Sequence, residues 1–474
     1  MADGSCADGH THPRVNCAIY RVGVPSAQPP SAISEAAISE AAISVACHPP
    51  SASRAKLPRA VTLLVRNLSQ IATPAGRIAR RGAAMRELSV MERAVIIVQN
   101  GRFAYVGSEN EKPPELLVDE DFDANGATAV PGFVDTHTHI PFAGFRESEF
   151  NRRLQGESYE DIAASGGGIA ATVRATRKAT EEQLTANVLA RATTMARYGT
   201  TTAEAKSGYG LDKESELKQL RAIREASARA PVRLVPTCLA AHDFPPESRG
   251  SDAERQSYVS TILVEILPAV AEEKLAIFCD AFVERGAFNA NQGEAVLRAG
   301  AELGMIPRLH ADEFSDGRGA ALAASLGAAS ADHLMHISDD GIAALAASDT
   351  VANLLPATSF FLMSDRYAPA RKLIDAGAIV SLSTDCNPGS SMTESMQTVM
   401  QLATLQMKMT VEESLTAATL NGAYSLRMAK EIGSIETGKR ADFVLIDAPS
   451  YLHLVYHFGV NLVTAVFREG RRVV

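Results

Sequence analysis

Between Val130 and Asn387, eight strand-like apolar runs alternate with helical stretches. They read VPGFVDTHTH, GTTTAEAKSG, VRLVPTCLAAH, LAIFCDAFVE, MIPRLHADEF, AASADHLMH, TVANLLPA and GAIVSLSTDCN. Alternation of this kind implies repeated βα units and a parallel sheet. Eight such units predict an α/β fold of the (β/α)8 barrel type. Thr180-x-x-Gln183 and Thr410-x-x-Glu413 are capping-box openings of intervening helices, and Gly199 closes the first of these helices just before a strand. Barrels place their chemistry at the carboxyl ends of the strands, so the polar residues that end each run are the candidates for function.

The flanks follow a different grammar. AVTLLVRNLSQI and AVIIVQNGRFAYVG are short β runs, the second with an Asn100-Gly101 hairpin signal. ADFVLIDAP and LVTAVFREGRRVV repeat the pattern at the other end, with a Glu-Gly turn. Both flanks are expected to form one small β-sandwich domain, from residues 59–130 and 437–474, bracketing a barrel over 131–436. Residues 1–58 are rich in Ser, Ala and Pro, and ISEAAISEAAIS nearly repeats a five-residue unit, which predicts a disordered low-complexity tail. The acids in that tail count against a transit peptide.

Composition excludes several classes of partner. Of 474 residues, 46% are hydrophobic and 21% charged, as in an ordinary globular protein. The net charge of −9 leaves no general positive field for nucleic acid. No run approaches the roughly 18 consecutive apolar residues of a membrane span, and no secretory signal precedes the chain's first β run. Six cysteines are too few for a stapled scaffold in a chain of this length, and Cys238, Cys279 and Cys386 sit singly in apolar runs, which fits a reducing cytoplasmic setting.

His137 and His139 end the first run, and residues two apart on a strand face one side. The tripeptide alone says little, since His10-Thr11-His12 repeats it in the tail. His310 ends run five, His333 lies at the end of run six and Asp385 ends run eight, so the fold brings five candidate ligands to one barrel mouth. Three neutral imidazoles and a carboxylate suit a single zinc or iron ion with a position left for water. Run four offers no lysine or histidine to bridge a second ion. A bound cation brings the pKa of its water from 15.7 to about 7, which suits hydrolysis of an unactivated amide, with Asp385 placed to take the proton.

The segments VPGFVDTHTH, GTTTAEAKSGYGLD, HADEF, STDCNPGSS and GSIETGKRADFVLIDAP resemble the amidohydrolase superfamily. RLQGESYEDIAASGGGIAATVRATR, SGYGLD, TDCNPGSS and YHFGVN are similar to its imidazolonepropionase family, and the resemblance spans about residues 60–474. It implies opening of 4-imidazolone-5-propanoate to N-formimidoyl-L-glutamate in histidine degradation, by a cytoplasmic homodimer. The implied metal ligands are His137, His139, His310 and Asp385, for one ion, zinc in preference to iron. Implied substrate contacts fall on Arg146, Tyr159, Tyr209, His242, Glu313 and Asn387, with Gly389 and Ser390 nearby, and His333 close to the reacting water. Chemistry agrees: a propionate tail calls for a planar cationic fork such as Arg146, and the departing ring nitrogen needs a proton donor, for which Glu313, His333 and His242 are available.

Each residue has a plainer alternative. Arg146 could form only a surface ion pair with its neighbour Glu147, and the tyrosines could simply pack. Lys206 suggests a Schiff base or carbamylated ligand, yet a structural ion pair is commoner. Ser165-Gly166-Gly167-Gly168 matches no phosphate-binding pattern and reads as a lid or turn. Arg77, Arg80, Arg81 and Arg86 read as a solvated face, and His336, His453 and His457 as structural. Two other functions stay open: a mononuclear deaminase of a nucleobase-type ring, which would have no use for Arg146, and a barrel without catalysis.

Overall fold

Asn100 and Gly101 both take positive φ, 53° and 75°, the backbone that a two-residue hairpin turn matched to strand twist requires. They join β4 (Ala94–Gln99) to β5 (Arg102–Ser108) in the computed structural model, which describes residues 62–113, 117–157, 161–162 and 165–474. The expected 1–58 tail and Tyr159 lie outside the described residues.

The hairpin belongs to a four-stranded sheet with β1 (Thr62–Arg66) and β6 (Glu120–Asp123). A six-stranded sheet mixes both chain ends: β2 (Gln70–Pro74), β3 (Leu88–Glu92) and β7 (Thr128–Pro131) from one, β16 (Phe443–Ile446), β17 (Val463–Arg468) and β18 (Arg471–Arg472) from the other. Period-two alternation sorts the side chains. Leu63, Val65, Ile96 and Val98 face Ala129, Phe443, Leu445 and Phe467 in one apolar cluster, while Leu64, Val95 and Ile97 turn to the opposite face. The two sheets thus form the expected sandwich.

Eight parallel strands follow in chain order: β8 (Phe133–Asp135), β9 (Thr200–Lys206), β10 (Arg233–Ala241), β11 (Phe278–Val283), β12 (Ile306–Ala311), β13 (Ser330–His333), β14 (Val351–Leu354) and β15 (Ile379–Leu382). The seam between β8 and β15 is joined beyond the strand ends, where Asp385 N–H donates to the His137 carbonyl and His139 N–H to the Cys386 carbonyl, both at 3.0 Å. Outside, helices Glu181–Arg197 and Val411–Thr416 open on the anticipated capping boxes, and Gly199 takes φ 95° before β9.

The barrel interior below the mouth is polar. Asn353 Oδ1 accepts from Thr136, Ser381 and Ser383 hydroxyls at 2.8–3.0 Å, and Arg308 and Lys206 are fully buried. A closed interior excludes water, so most polar groups there are answered by one another, although Asn353 Nδ2 and Arg308 Nε are not.

The arginine cluster does not behave as a purely solvated face. Arg81 binds Asp349, Arg86 binds the buried Glu413 at 2.9 Å, and Arg80 Nε donates to the Ala75 carbonyl. Arg81 and Arg86 thus reach acceptors on the barrel and Arg80 one in its own segment, while all three guanidiniums stay partly exposed to water and Arg77 is exposed, so the face is solvated but also pinned. No helix among the described residues is long and apolar enough to cross a membrane.

Candidate active site

His137 and His139 leave β8 with their rings on one side, as strand alternation requires, and their Nε2 atoms lie 3.2 Å apart. His310, on β12, brings its Nε2 to 3.4 Å from that of His139. Asp385 follows β15 with φ 56°, a left-handed conformation that a non-glycine residue seldom adopts. That bend sets Oδ1 at 3.5 Å from His137 Nε2 and 3.4 Å from His139 Nε2.

The far sides of two rings meet carboxylates. His137 Nδ1 lies 2.7 Å from Asp332 Oδ2, and His310 Nδ1 lies 3.1 Å from Asp280 Oδ2. The Asp332 carboxylate against His137 Nδ1 keeps the proton there and points the Nε2 lone pair inward, whereas the His310–Asp280 contact is close but not aligned as a hydrogen bond. Burial, with Lys206 and the neighbouring imidazoles adding to it, holds the pKa values of His137 and His139 well below the ordinary histidine value. Lone pairs and a carboxylate oxygen therefore converge with too few protons between them. That arrangement is repulsive alone and favourable around a cation, so the residues fit a divalent metal with nitrogen-rich ligation.

Around this cluster stand the other candidates. His333 takes φ 78° and can share a ligand position with His137 and Asp385, while its Nε2 lies 3.7 Å from Glu313 Oε2. Burial lowers the His333 pKa to about 3. Burial, then the charges of Asp385 and Glu284, pushes Glu313 well above the usual carboxylate range. The His242 ring stacks on His139 with centroids 4.9 Å apart, and its Nδ1 donates to the Gly208 carbonyl at 2.9 Å, which leaves Nε2 as an acceptor. Tyr209 is buried against both rings, 5.8 Å from His139 and 5.2 Å from His242.

Arg146 pairs with Glu149, at 2.8 Å through Nε, and not with Glu147. Its guanidinium lies over Gly389, where a Cβ would come within 2.8 Å of Cζ. Asn387 spends its amide on its own loop, donating to the Asp385 carbonyl at 2.7 Å and Ser390 Oγ at 2.8 Å while accepting from the Gly389 and Ser390 N–H groups. In this structure it shapes the loop, and Ser390 Oγ comes 3.4 Å from Asp385 Oδ2.

Sequence reasoning passed over the residues that aim these groups. Asp332 holds the His137 ring and Asp280 stands beside His310, Thr358 donates to Asp385 Oδ2 at 2.7 Å, and Glu216 accepts from the Gly208, Gly210 and Leu211 N–H groups at 2.8–3.0 Å, fixing the Tyr209 turn. A carboxylate inside an apolar strand run, as in FCDAF and SADH, was the available signal, because a buried acid requires a partner.

The amidohydrolase family model matches residues 308–473. Imidazolonepropionase of Porphyromonas gingivalis strain W83 is 46% identical over 419 residues, covering 88% of this chain and 98% of that protein. Its counterpart in Bacillus velezensis is 45% identical over 418 residues, again 88% and 98%. Among solved structures, a zinc-bound adenosine deaminase from Xanthomonas campestris aligns with TM-score 0.63 at 20% identity, over 87% of this chain and 92% of that one. A 5-methylcytosine deaminase from Klebsiella pneumoniae aligns with TM-score 0.65 at 16% identity, over 87% and 97%, and both show the shared fold. With nearly the full length of such relatives matched at close to half identity, the chain belongs to the imidazolonepropionase family.

Proposed function

We propose that this enzyme hydrolyses 4-imidazolone-5-propanoate to N-formimidoyl-L-glutamate, a step of histidine degradation. The observation that carries the reading is the loop 385–390: Asp385, in the ligand cluster, stands at one end, and the Arg146 guanidinium is seated on Gly389 near the other. One short loop thereby spaces a hydrolytic centre from a carboxylate-binding fork, as a ring amide bearing a propionate tail requires.

His137, His139, His310 and Asp385 would hold one ion, for which we favour zinc over iron. Such an ion supplies Lewis acidity, lowering the pKa of a coordinated water toward neutrality and polarising the carbonyl. Thr358 donates to Asp385 Oδ2, so Oδ1 is the oxygen that faces the imidazoles and would bind the ion, and the Asp385 carboxylate accepts the proton of the attacking water. Glu313, whose pKa burial raises well above the usual carboxylate range, would donate to the ring nitrogen as the carbon–nitrogen bond breaks. His333, neutral beside it, orients the acid, and His242 and Tyr209 face the ring. Tyr159 would join the substrate contacts. With three buried free cysteines among the described residues and net charge −9, we read the protein as cytoplasmic and binding no nucleic acid, and from the family resemblance as a homodimer.

The nucleobase-deaminase alternative leaves Arg146 without a purpose. Purified protein should contain one metal ion per chain and consume imidazolone-propanoate, followed by loss of imidazolone absorbance. Ammonia release from a nucleobase, without turnover of the lactam, would refute the assignment.

A further inference from the structure

Lys206 ends β9 beneath the ligand cluster and is fully buried. Its Nζ lies 2.7 Å from Glu204 Oε1, 2.7 Å from Asp280 Oδ2 and 3.9 Å from Asp332 Oδ2. These last two oxygens are the same atoms that face His310 Nδ1 and His137 Nδ1. We propose that Lys206 is a positioning residue for the metal site: its ammonium hydrogen-bonds Asp280, the carboxylate beside His310, and lies within ion-pair range of Asp332, which holds the His137 ring. The inference rests on the ligand set read above.

The geometry separates this role from a plain buried ion pair. Glu204 alone would satisfy a lysine of that kind, and it has its own task, accepting from Thr138 N–H at 3.1 Å in the segment between His137 and His139. Arg308 is the other nearby cation. Its Nη2 stands 3.6 Å from Asp332 Oδ2 but donates to the Thr136 carbonyl at 2.8 Å. Lys206 is therefore the cation that contacts both carboxylates. Without it the carboxylates of Asp280 and Asp332, on the two strands that flank β12, would lose the cation between them, and each would be freer to swing from its imidazole. Partners of metal-binding histidines typically account for 10–100-fold in metal affinity.

The test is zinc affinity, measured by competition with a chromogenic chelator on the full chain. Lys206→Met should bind zinc about 10–100-fold more weakly, while KM at saturating zinc stays within about twofold of wild type because the substrate pocket is untouched. Should three unanswered carboxylates keep this variant from folding, Glu204→Gln/Lys206→Met removes one acid with the ammonium and restores the balance of charge. Weak zinc binding by the double variant, with Glu204→Gln alone binding zinc as wild type does, supports positioning, and wild-type affinity in either folded variant overturns it. Zinc binding by wild type serves as the control for the ligand set itself: its absence would defeat the site, whereas equal affinities would defeat only the role of Lys206.

Discussion

In the proposed reaction, Arg146 is the side chain on which substrate identity turns. Its Nε is spent on Glu149, so the two Nη groups are the edge left to grip a carboxylate. A hydrogen bond to a charged group contributes about 1.5–3 kcal/mol, so Arg146→Ala should raise KM by roughly 10- to 150-fold with metal content unchanged. Unaltered KM in a metal-replete variant would remove the propionate contact. Glu313 carries a pH signature. Its pKa is raised, by burial first and then by the charges of Asp385 and Glu284, so the proton it would donate is held to higher pH than on an exposed glutamate and is lost as pH climbs through the raised value. Activity should fall on that alkaline limb, and Glu313→Gln should lower kcat by about 10²–10⁴ and abolish the limb. The stability sign runs the same way: a group with folded pKa above its unfolded one stabilises at low pH and ceases to as pH rises through the folded value. Glu313→Gln should accordingly melt closer to wild type, or above it, at alkaline pH than at acid pH. A pH–rate profile with an intact alkaline limb in the variant would show that another group donates.

At the scale of elements, the loop from Asp385 to Ser390 couples the two halves of the site, and Gly389 is its tight point. A methyl there would drive into Arg146, so Gly389→Ala should reproduce the KM defect of Arg146→Ala while zinc stays bound. The double variant should be no worse than either single one, because both remove the same contact. Additive losses would mean that Gly389 acts elsewhere. The eight barrel strands were legible because each is a short apolar run between helical stretches, and the Asn100-Gly101 and Glu469-Gly470 turns because their chemistry demands positive φ. The roles of Asp280, Asp332 and Glu216 were not legible. Their partners lie on other strands or across a loop, and nothing local in FCDAF or SADH states which imidazole the acid will meet. Lys206 was legible as an ion pair but not as a bridge between two acids, since that requires β9, β11 and β13 in register. Two arginines after β2, Arg81 and Arg86, were incompletely read for the same reason: the acceptors they meet, Asp349 and Glu413, are far away in sequence.

For the whole molecule, the six-stranded sheet serves as a wall between sandwich and barrel. Phe443, Leu445, Ala465 and Phe467 fill the sandwich, while Val444, Ile446 and Val466 on alternate positions join the large barrel cluster with Val130. Composition and pattern revealed that the two ends share a domain, but alternation on these strands was the only trace of its second buried face. A wall packed on both sides should make the metal site and the sandwich unfold together, although they are built from distant parts of the chain. Phe467 tests this, because its ring stacks on Phe443 with centroids 4.5 Å apart and touches no ligand residue. Phe467→Ala should cost about 3–5 kcal/mol. If the wall transmits, thermal melting followed by far-ultraviolet circular dichroism and release of zinc to a chelator dye should remain one coincident transition, moved down together. A variant in which the sheet melts early while zinc stays bound to the old temperature would show the barrel to be an independent unit and the shared sheet to be mere attachment.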